Sequence, residues 1–535
     1  MFARLLLIGI VLAASLAYVL SGQQASNAQP RPPYIRGRNR TVLFVTNREH
    51  GLSNVHVATA SALLEGFPDI EVHYASFPGL ARKLARVSSF SRKRTPAARD
   101  IILHDLRSLP YGEAFMADKR YDGIMAQDRM IVPPASAGID VFAEDFPLMI
   151  SPWSVEDHMA VYEEVGALID DVDPAVVVLD TLFRPAIDAT RDKNWSHAFI
   201  TPNTLVDNFL AEQPYGSMLW KYPALTSGFE FPVPLRKIPE NIYLNLRVIH
   251  AAFAGAGLSA KKAALRARGL RDPINFMRLH RPDVPWITMD TEGASIPVDV
   301  VPANVTRAGP ILMDAAPAAV QDPDLVAWLG NAPTVLFNLG SHFVYTEERA
   351  AIVAAALARV MERTDNGVQV LWKFNKRGGY PDDFMRPIRP HVDAGRVRVA
   401  GWLEADPFSL LETGRVVASV HHGGSNCYHE AIASGVAQVV LPMWIDLYNF
   451  AALVETMGVG VWACKGTSPD WTAEALAEDI IRVIGGGKND DDGGASMREK
   501  AKAVGASVRA RPRGRDVSAA EIAKLAYISD AAGQQ

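Results

Sequence analysis

The densest chemistry in the chain lies between Val416 and Trp462. An apolar run, Val416 to Val420, is followed by His421-His422-Gly423-Gly424-Ser425-Asn426-Cys427. A helical pattern, Tyr428 to Ser434, then stops at Gly435, and a second apolar run, Val439 to Leu441, ends at Pro442-Met443-Trp444-Ile445-Asp446. A glycine turn between a strand and a helix clears side chains from the strand end. It aims the first N–H groups of the helix at whatever sits there, and a phosphate is the natural occupant. Glu430 follows His422 by eight residues, about two helical turns, within reach of a group one ribose away from the phosphates. A second turn of this kind, Asn338-Leu339-Gly340-Ser341, closes the apolar run Pro333 to Phe337. In the first half of the chain two residues stand out, His50 just past the run Thr41 to Thr46 and Asp180 closing the run Pro174 to Leu179.

Those positions require parallel strands with helical crossovers. Thr41–Thr46, a helix over Val55–Leu64 and a strand over Ile70–Ala75 form a βα repeat, which predicts a doubly wound α/β domain with function at the strands' carboxyl ends. Pro174–Asp180 is apolar throughout until its last residue, as expected of a strand buried on both faces. Asp180 at its end either faces a site or caps a helix over 181–190. A single helical pattern covers Leu148 to Asp170, with Trp153 near its start. Residues 197–300 alternate aromatic and Pro-rich pieces with little periodicity and read as irregular or short-helical, pocket-forming insertions. The second half repeats the alternation. It has strands at 333–339, 368–374 and 397–402, helices over Glu347–Arg363 and Trp471–Ile484 (capped by Thr472), a Gly/Asp-rich loop at 485–494, and final helices from Met497 and over Ala519–Ile528.

A chain of 535 residues is too long for one core, so two domains are the default. The boundaries are a terminal segment 1–22, a linker 23–40, a first domain 41–312, a linker 313–332, a second domain 333–510 and a closing helix 511–535 packing back on the first domain. The net charge of -5 provides no basic field and excludes nucleic acid as a partner. Two cysteines, Cys427 and Cys464, exclude a disulfide scaffold and a cysteine-built zinc site. No Asp/Glu/His spacing suggests a metal. Leu5 to Leu20 is almost wholly apolar, preceded by Arg4 and followed by Arg31, Arg36, Arg38 and Arg40. Its length lies at the border between a signal-peptide core and a membrane span. The expectation is a single-pass membrane protein of the endoplasmic reticulum, with its bulk on the cytosolic face. The alternative is a cleaved signal peptide and a protein of the secretory pathway. Sequons at Asn39, Asn194 and Asn304 would report lumenal exposure if glycosylated.

The stretch around His422 resembles the signature of the UDP-glycosyltransferases (family 1, two-domain GT-B fold), and is closest to fungal-type glucosyl and glucuronosyl transferases. That signature runs Trp, then His-Cys-Gly-Trp-Asn-Ser-x-x-Glu, then Asp-Gln. Here it reads Trp402, then His422-Gly423-Gly424-Ser425-Asn426-Cys427-Tyr428-His429-Glu430, then Asp446-Leu447. The resemblance implies two Rossmann-like domains facing across a cleft, with an N-terminal hydrophobic helix. It also implies a UDP-sugar as co-substrate, no resident cofactor and no metal. The donor site would comprise Ser341, Trp402, His422, Gly424, Asn426, Cys427, Glu430, Asp446 and Leu447. Trp402 would stack on uracil, or else fill core at a strand end. Glu430 would take the ribose hydroxyls and Asp446 the sugar. Cys427 stands where the family has Ser, and Leu447 where it has Gln; Tyr448 and Asn449 could replace the lost sugar contact. At a helix start Cys427 is also a candidate nucleophile.

The resemblance further implies His50 as general base and Asp180 as the carboxylate that orients it. The family's Gly-His-x-x-Pro is departed from, since His50 precedes Gly51 and Leu52 fills the aligned place. The reaction implied is inverting transfer of a hexose, glucose first among them, to a hydroxyl of a small lipophilic acceptor such as a phenol, sterol or lipid. The other reading is a non-catalytic GT-B protein that binds nucleotide-sugars.

Overall fold

Two blocks of strong strand formers, each interleaved with helices, fold into two parallel sheets. The computed structural model describes residues 32–527 apart from 122–125, 255, 277, 341–342, 365–366 and 486–492. In the first half the strands are β1 (Arg38–Val45), β2 (Glu71–Ser76), β3 (Ile102–Asp105), β4 (Pro174–Asp180), β5 (His197–Thr201), β6 (Trp286–Thr288) and β7 (Val305–Arg307). Among the described residues they lie in the order 3-2-1-4-5-6-7, and every pair is parallel. The second half has β8 (Thr334–Phe337), β9 (Gln369–Lys373), β10 (Val397–Ala400), β11 (Val416–His421), β12 (Ala437–Val440) and β13 (Gly460–Trp462), in the order 10-9-8-11-12-13, also all parallel. Strand order reverses between β1 and β4 in one sheet and between β8 and β11 in the other. Loops on the two sides of a reversal run to opposite faces, and the crevice between them is where open α/β sheets bind ligands.

The helices used below are α1 (His50–Gly66), α2 (Ala81–Arg94), α3 (Ile139–Ile150), α4 (Val155–Val172), α5 (Arg184–Asp192), α6 (Ile238–Ala254), α7 (Ala256–Ala267), α8 (Glu347–Arg363), α9 (Ser425–Ser434), α10 (Leu447–Met457), α11 (Ala473–Ile484), α12 (Gly493–Arg509) and α13 (Gly514–Tyr527). β4 is buried at every position, which accounts for its unbroken apolar run. Its Val176 and Val178 face one side of the sheet with Val42 and Phe44, while Val177 and Leu179 face the other with Leu43 and Val45. Three expectations are corrected. The single pattern over Leu148 to Asp170 is two helices, α3 and α4, with Trp153 buried between them and its Nε1 donating to Leu109 O at 2.7 Å. Residues 197–300 hold more than irregular or short-helical pieces, because α6 and α7 run there for 17 and 12 residues. The single-pass membrane reading, with its N-terminal hydrophobic helix and placement in the endoplasmic reticulum, is also corrected: among the described residues no helix is long and apolar enough to cross a membrane. Leu5 to Leu20 and the loop core 486–492 lie outside the described residues. Of the sequons, Asn304 Nδ2 donates to Arg281 O at 2.9 Å and Asn194 Nδ2 to Pro33 O at 2.8 Å, so both amides are engaged within the fold.

The last helix returns to the first half. Ala519, Ile522, Ala523 and Ala526 of α13 join the core formed by α1, β1 and β4. Arg515, 2% exposed, meets Glu65 of α1 at 2.7 Å. Asp314 and Asp516 also face Arg515, at 3.5 and 3.3 Å, so losing Glu65 removes its shortest charged contact without stranding the cation, at a cost of about 1–3 kcal/mol. Glu65→Gln should therefore lower the urea midpoint by that equivalent with its slope unchanged. An unshifted midpoint would mean that α13 does not depend on this pair.

Candidate active site between the two sheets

In the second half the site begins with two histidines that point to opposite sides of β11. Gly423 N donates to His421 Nδ1 at 3.0 Å, so Nδ1 is the acceptor and Nε2–H donates to Gln438 Oε1 at 2.9 Å. His421 is thus a neutral, fully engaged imidazole, and burial pushes its pKa down to about 4. It fixes the turn. His422 emerges on the other side, its ring 5.9 Å from that of Trp444. Two glycines flank this ring. A Cβ on Gly340 (φ +92°) would stand 3.0 Å from His422 Cε1, and one on Gly424 2.5 Å from Nε2. Gly423 (φ +95°) is equally constrained, since a Cβ there would lie 2.9 Å from Val440 Cγ1. α9 starts at once, with Gly424 at its N-cap, so its first N–H groups have no partner within the helix.

Around that turn stand the other donor-side candidates. Trp402 is 60% exposed at the end of β10, so it is not a core tryptophan. Lys373 Nζ lies 5.0 Å from its ring centroid and donates to Gly340 O at 2.9 Å. Lys373 therefore ties the indole to the glycine turn, and its own pKa is lowered by burial. Burial pushes the Cys427 thiol well above its ordinary value, with the Glu430 charge acting in the same direction. A reactive thiolate needs the opposite environment. Glu430 is also raised, by burial and by Asp406, against the opposing charge of Lys83. Lys83 belongs to α2 in the other half; its Nζ donates to Asn54 Oδ1, and burial brings its pKa down to about 8. Asp446, at the N-cap of α10, is pushed up to about 7 by burial and by Asp207 of the facing half. Leu447 is buried, its Cβ 3.4 Å from where a Gly423 Cβ would be. Tyr448 and Asn449 are occupied elsewhere, Tyr448 donating to Val132 O at 2.5 Å and Asn449 Oδ1 accepting Gly228 N at 2.8 Å. Ser341 lies outside the described residues.

In the first half His50 is the first residue of α1 rather than part of a loop, with Glu49 as N-cap. Asp180 is buried at the end of β4. It accepts Asn47 N at 3.3 Å and Asn47 Nδ2 at 3.1 Å, and its other oxygen accepts Leu182 N at 2.9 Å. Burial raises it to about 6, opposed by those hydrogen bonds. The helix that follows is α5, capped by Phe183, so Asp180 is not its N-cap. The two halves meet here. Asn426 Nδ2 of α9 lies 3.4 Å from His50 O, and Ser425 Oγ donates to Pro202 O at 2.6 Å. Among the described residues no group of three or more His, Cys, Asp or Glu is placed to hold a metal ion.

Two parallel-sheet halves whose strand ends face one cleft have the GT-B fold. The glycotransferase of kitacinnamycin superposes with a TM-score of 0.57 at 17% identity, covering 93% of this chain and 100% of that one. A UDP-glucosyltransferase from Polygonum tinctorium capable of glucosylating indoxyl gives 0.58 at 17%, covering 93% and 99%. The family profile described as UDP-glucoronosyl and UDP-glucosyl transferase matches residues 249–486. Glycosyltransferase sdnJ of Sordaria araneosa is 31% identical over 517 residues, 92% of this chain and 99% of that protein. Human UDP-glucuronosyltransferase 2B7 is 29% identical over 178 residues, 33% of this chain and 30% of that enzyme. The chain belongs to the UDP-glycosyltransferase family, and it is an enzyme that transfers a sugar from a UDP-sugar.

Three neighbours of the candidate residues escaped sequence reading. Lys373 is the only charged residue in a strand that is apolar from Val370 to Trp372, a usable signal. Asn47 and Lys83 carry none, since only the fold brings them to Asp180 and Glu430. The packing of Gly424 against His422 gives a direct test. Gly424→Ala should displace the imidazole and weaken UDP binding by about tenfold, roughly 1.4 kcal/mol, measured by calorimetry. Unchanged UDP affinity would show that the ring's position is immaterial to binding.

Proposed function

We propose that the enzyme moves a hexose, glucose before others, from its UDP-sugar to a hydroxyl of a small lipophilic acceptor, with inversion at the anomeric carbon. One observation carries this reading: Asn426, in the first turn of the helix that would receive the diphosphate, lies 3.4 Å from the carbonyl of His50. The backbone at the candidate base and the candidate leaving-group site adjoin at this contact, which supports the reading. Diphosphate charge developing as UDP departs would be met by the free N–H groups of α9 and by His422, with no metal required. Trp402 would stack on uracil, Glu430 would accept the ribose hydroxyls and Asp446 those of the sugar. The Polygonum relative's action on indoxyl is consistent with a flat lipophilic acceptor.

On this reading the acceptor oxygen attacks the anomeric carbon from the face opposite UDP while His50 takes its proton. Asp180, with a pKa of about 6, is ionised at neutral pH and stabilises the imidazolium that forms. Asn47, held to Asp180 through both its backbone and its side chain, would set the orientation of that carboxylate.

Two measurements test this. His50→Ala should cut kcat by about 10²–10³-fold with little change in the affinity for UDP-glucose, and proton NMR of the wild-type product should show the β-anomer. A variant as fast as wild type would remove His50 from the mechanism. The second concerns Asp446. Its raised pKa of about 7 means that the carboxylate forms only as pH rises through that value. UDP-glucose affinity should therefore improve between pH 6 and 8 while that of UDP alone does not follow, and Asp446→Asn should flatten the difference. A slope surviving in the variant would place its origin elsewhere.

A further inference from the structure

Arg184 opens α5, four residues past Asp180, and is 1% exposed. Its Nε, Nη1 and Nη2 are all buried, and none has a hydrogen-bond partner among the described residues. The guanidinium instead lies 5.2 Å from the centroid of the Phe276 ring, which meets Phe146 edge-on at 5.6 Å. The carboxylates facing it are already engaged. Asp188 accepts His158 Nε2 and Ile274 N, both at 3.0 Å, and Asp180 accepts Asn47 and Leu182. Other buried arginines of this chain are treated differently. Arg191, on the same helix, donates to the carbonyls of Arg278 and Leu279, and Arg515 meets Glu65. Burial lowers the basicity of Arg184 only to about 10, so it stays cationic at neutral pH. Asp188 and Asp180 offset the charge of Arg184 from a distance, but its buried N–H groups gain no hydrogen bond in return for their lost hydration.

We propose that Arg184 is the anion receptor of the acceptor site, and that the acceptor class is a hydroxylated lipophilic carboxylic acid. The inference rests on the reading above, in which the acceptor binds in the first half of the molecule beside His50 and Asp180. A planar guanidinium with free N–H groups matches a carboxylate bidentately. Asp180 and Asp188 already face the guanidinium, so a singly charged carboxylate is tolerated there far better than a phosphate dianion. The rings of Phe276 and Phe146 supply an apolar wall for the body of the molecule. The anion would sit one helical turn beyond Asp180, so that holding it also orients the reacting hydroxyl.

The experiment uses the full-length enzyme, UDP-glucose and matched acceptors: 4-hydroxyphenylacetate and 16-hydroxyhexadecanoate, each against its methyl ester, with 4-ethylphenol as a neutral control. The expected result is a kcat/KM for at least one acid that exceeds its ester by about tenfold or more, expressed mainly in KM. Arg184→Met should bring that ratio to about one, Arg184→Lys should retain part of it, and the thermal midpoint of Arg184→Met should not fall. Equal use of acid and ester by the wild type would overturn the proposal. So would an acid preference that survives in Arg184→Met, or a parallel loss of both acceptors together with a lowered midpoint, which marks a structural role. Turnover of 4-ethylphenol without acid preference sinks this proposal alone. Absence of turnover with every acceptor, despite UDP binding, sinks the wider acceptor reading as well.

Discussion

The ring of His422 is held between two glycine backbones, and the geometry of the cleft follows from that contact. Gly340 lies in the loop after β8 and Gly424 caps α9 after β11, so the imidazole joins the two strands on either side of the sheet's reversal. A side chain at either glycine would push the ring away. With the ring in place, both strand ends stay bare, and the helix that starts there presents its N–H groups without obstruction. His421 supports this from behind, since its two ring nitrogens bind the turn and the neighbouring strand and leave nothing for a ligand.

The same device recurs in the other half with different chemistry. The reversal between β1 and β4 puts the start of α1 and the carboxylate of Asp180 side by side. Asp180 is bound through Asn47, three residues before His50, so the carboxylate and the start of α1 are fixed relative to each other. Contacts from Asn426 and Ser425 then bring the two reversals together. Charge also crosses the cleft. Lys83 from one half opposes Glu430 and Asp406 from the other, and Asp207 faces Asp446. The cleft is therefore an electrostatic unit built from both halves, which no single stretch of sequence contains.

Where local chemistry dictates structure, the sequence was readable. β4 is Pro174–Asp180 because an unbroken apolar run has one solution in a doubly covered sheet, and α8 has the bounds its periodicity predicts. Thr472 caps α11 by accepting Ala475 N, as its residue type suggests. The GT-B family and the motif around α9 were legible for the same reason, since the glycines, His422 and Glu430 are contiguous. Elements held by tertiary contacts were not legible. Helix α6 contains Asn241 and Asn245, poor helix formers whose amides donate to the carbonyls of Tyr222 and Met218. The start of α1 was hidden because Glu49 caps it with no side-chain hydrogen bond. Trp402's exposure, Leu447's burial and the diversion of Tyr448 and Asn449 to Val132 and Gly228 depend on packing between distant segments.

The chain crosses between its halves twice, once after β7 and once before α13, and Asp314 fastens the two crossings together. Its carboxylate lies 2.6 Å from Arg513 and 3.5 Å from Arg515, and it also binds Arg94. Two strands of backbone riveted at one corner act as a single pivot. Displacement of one jaw against the other is thereby restrained at that corner, where both connections are held to one carboxylate, and least restrained at the lip farthest from it.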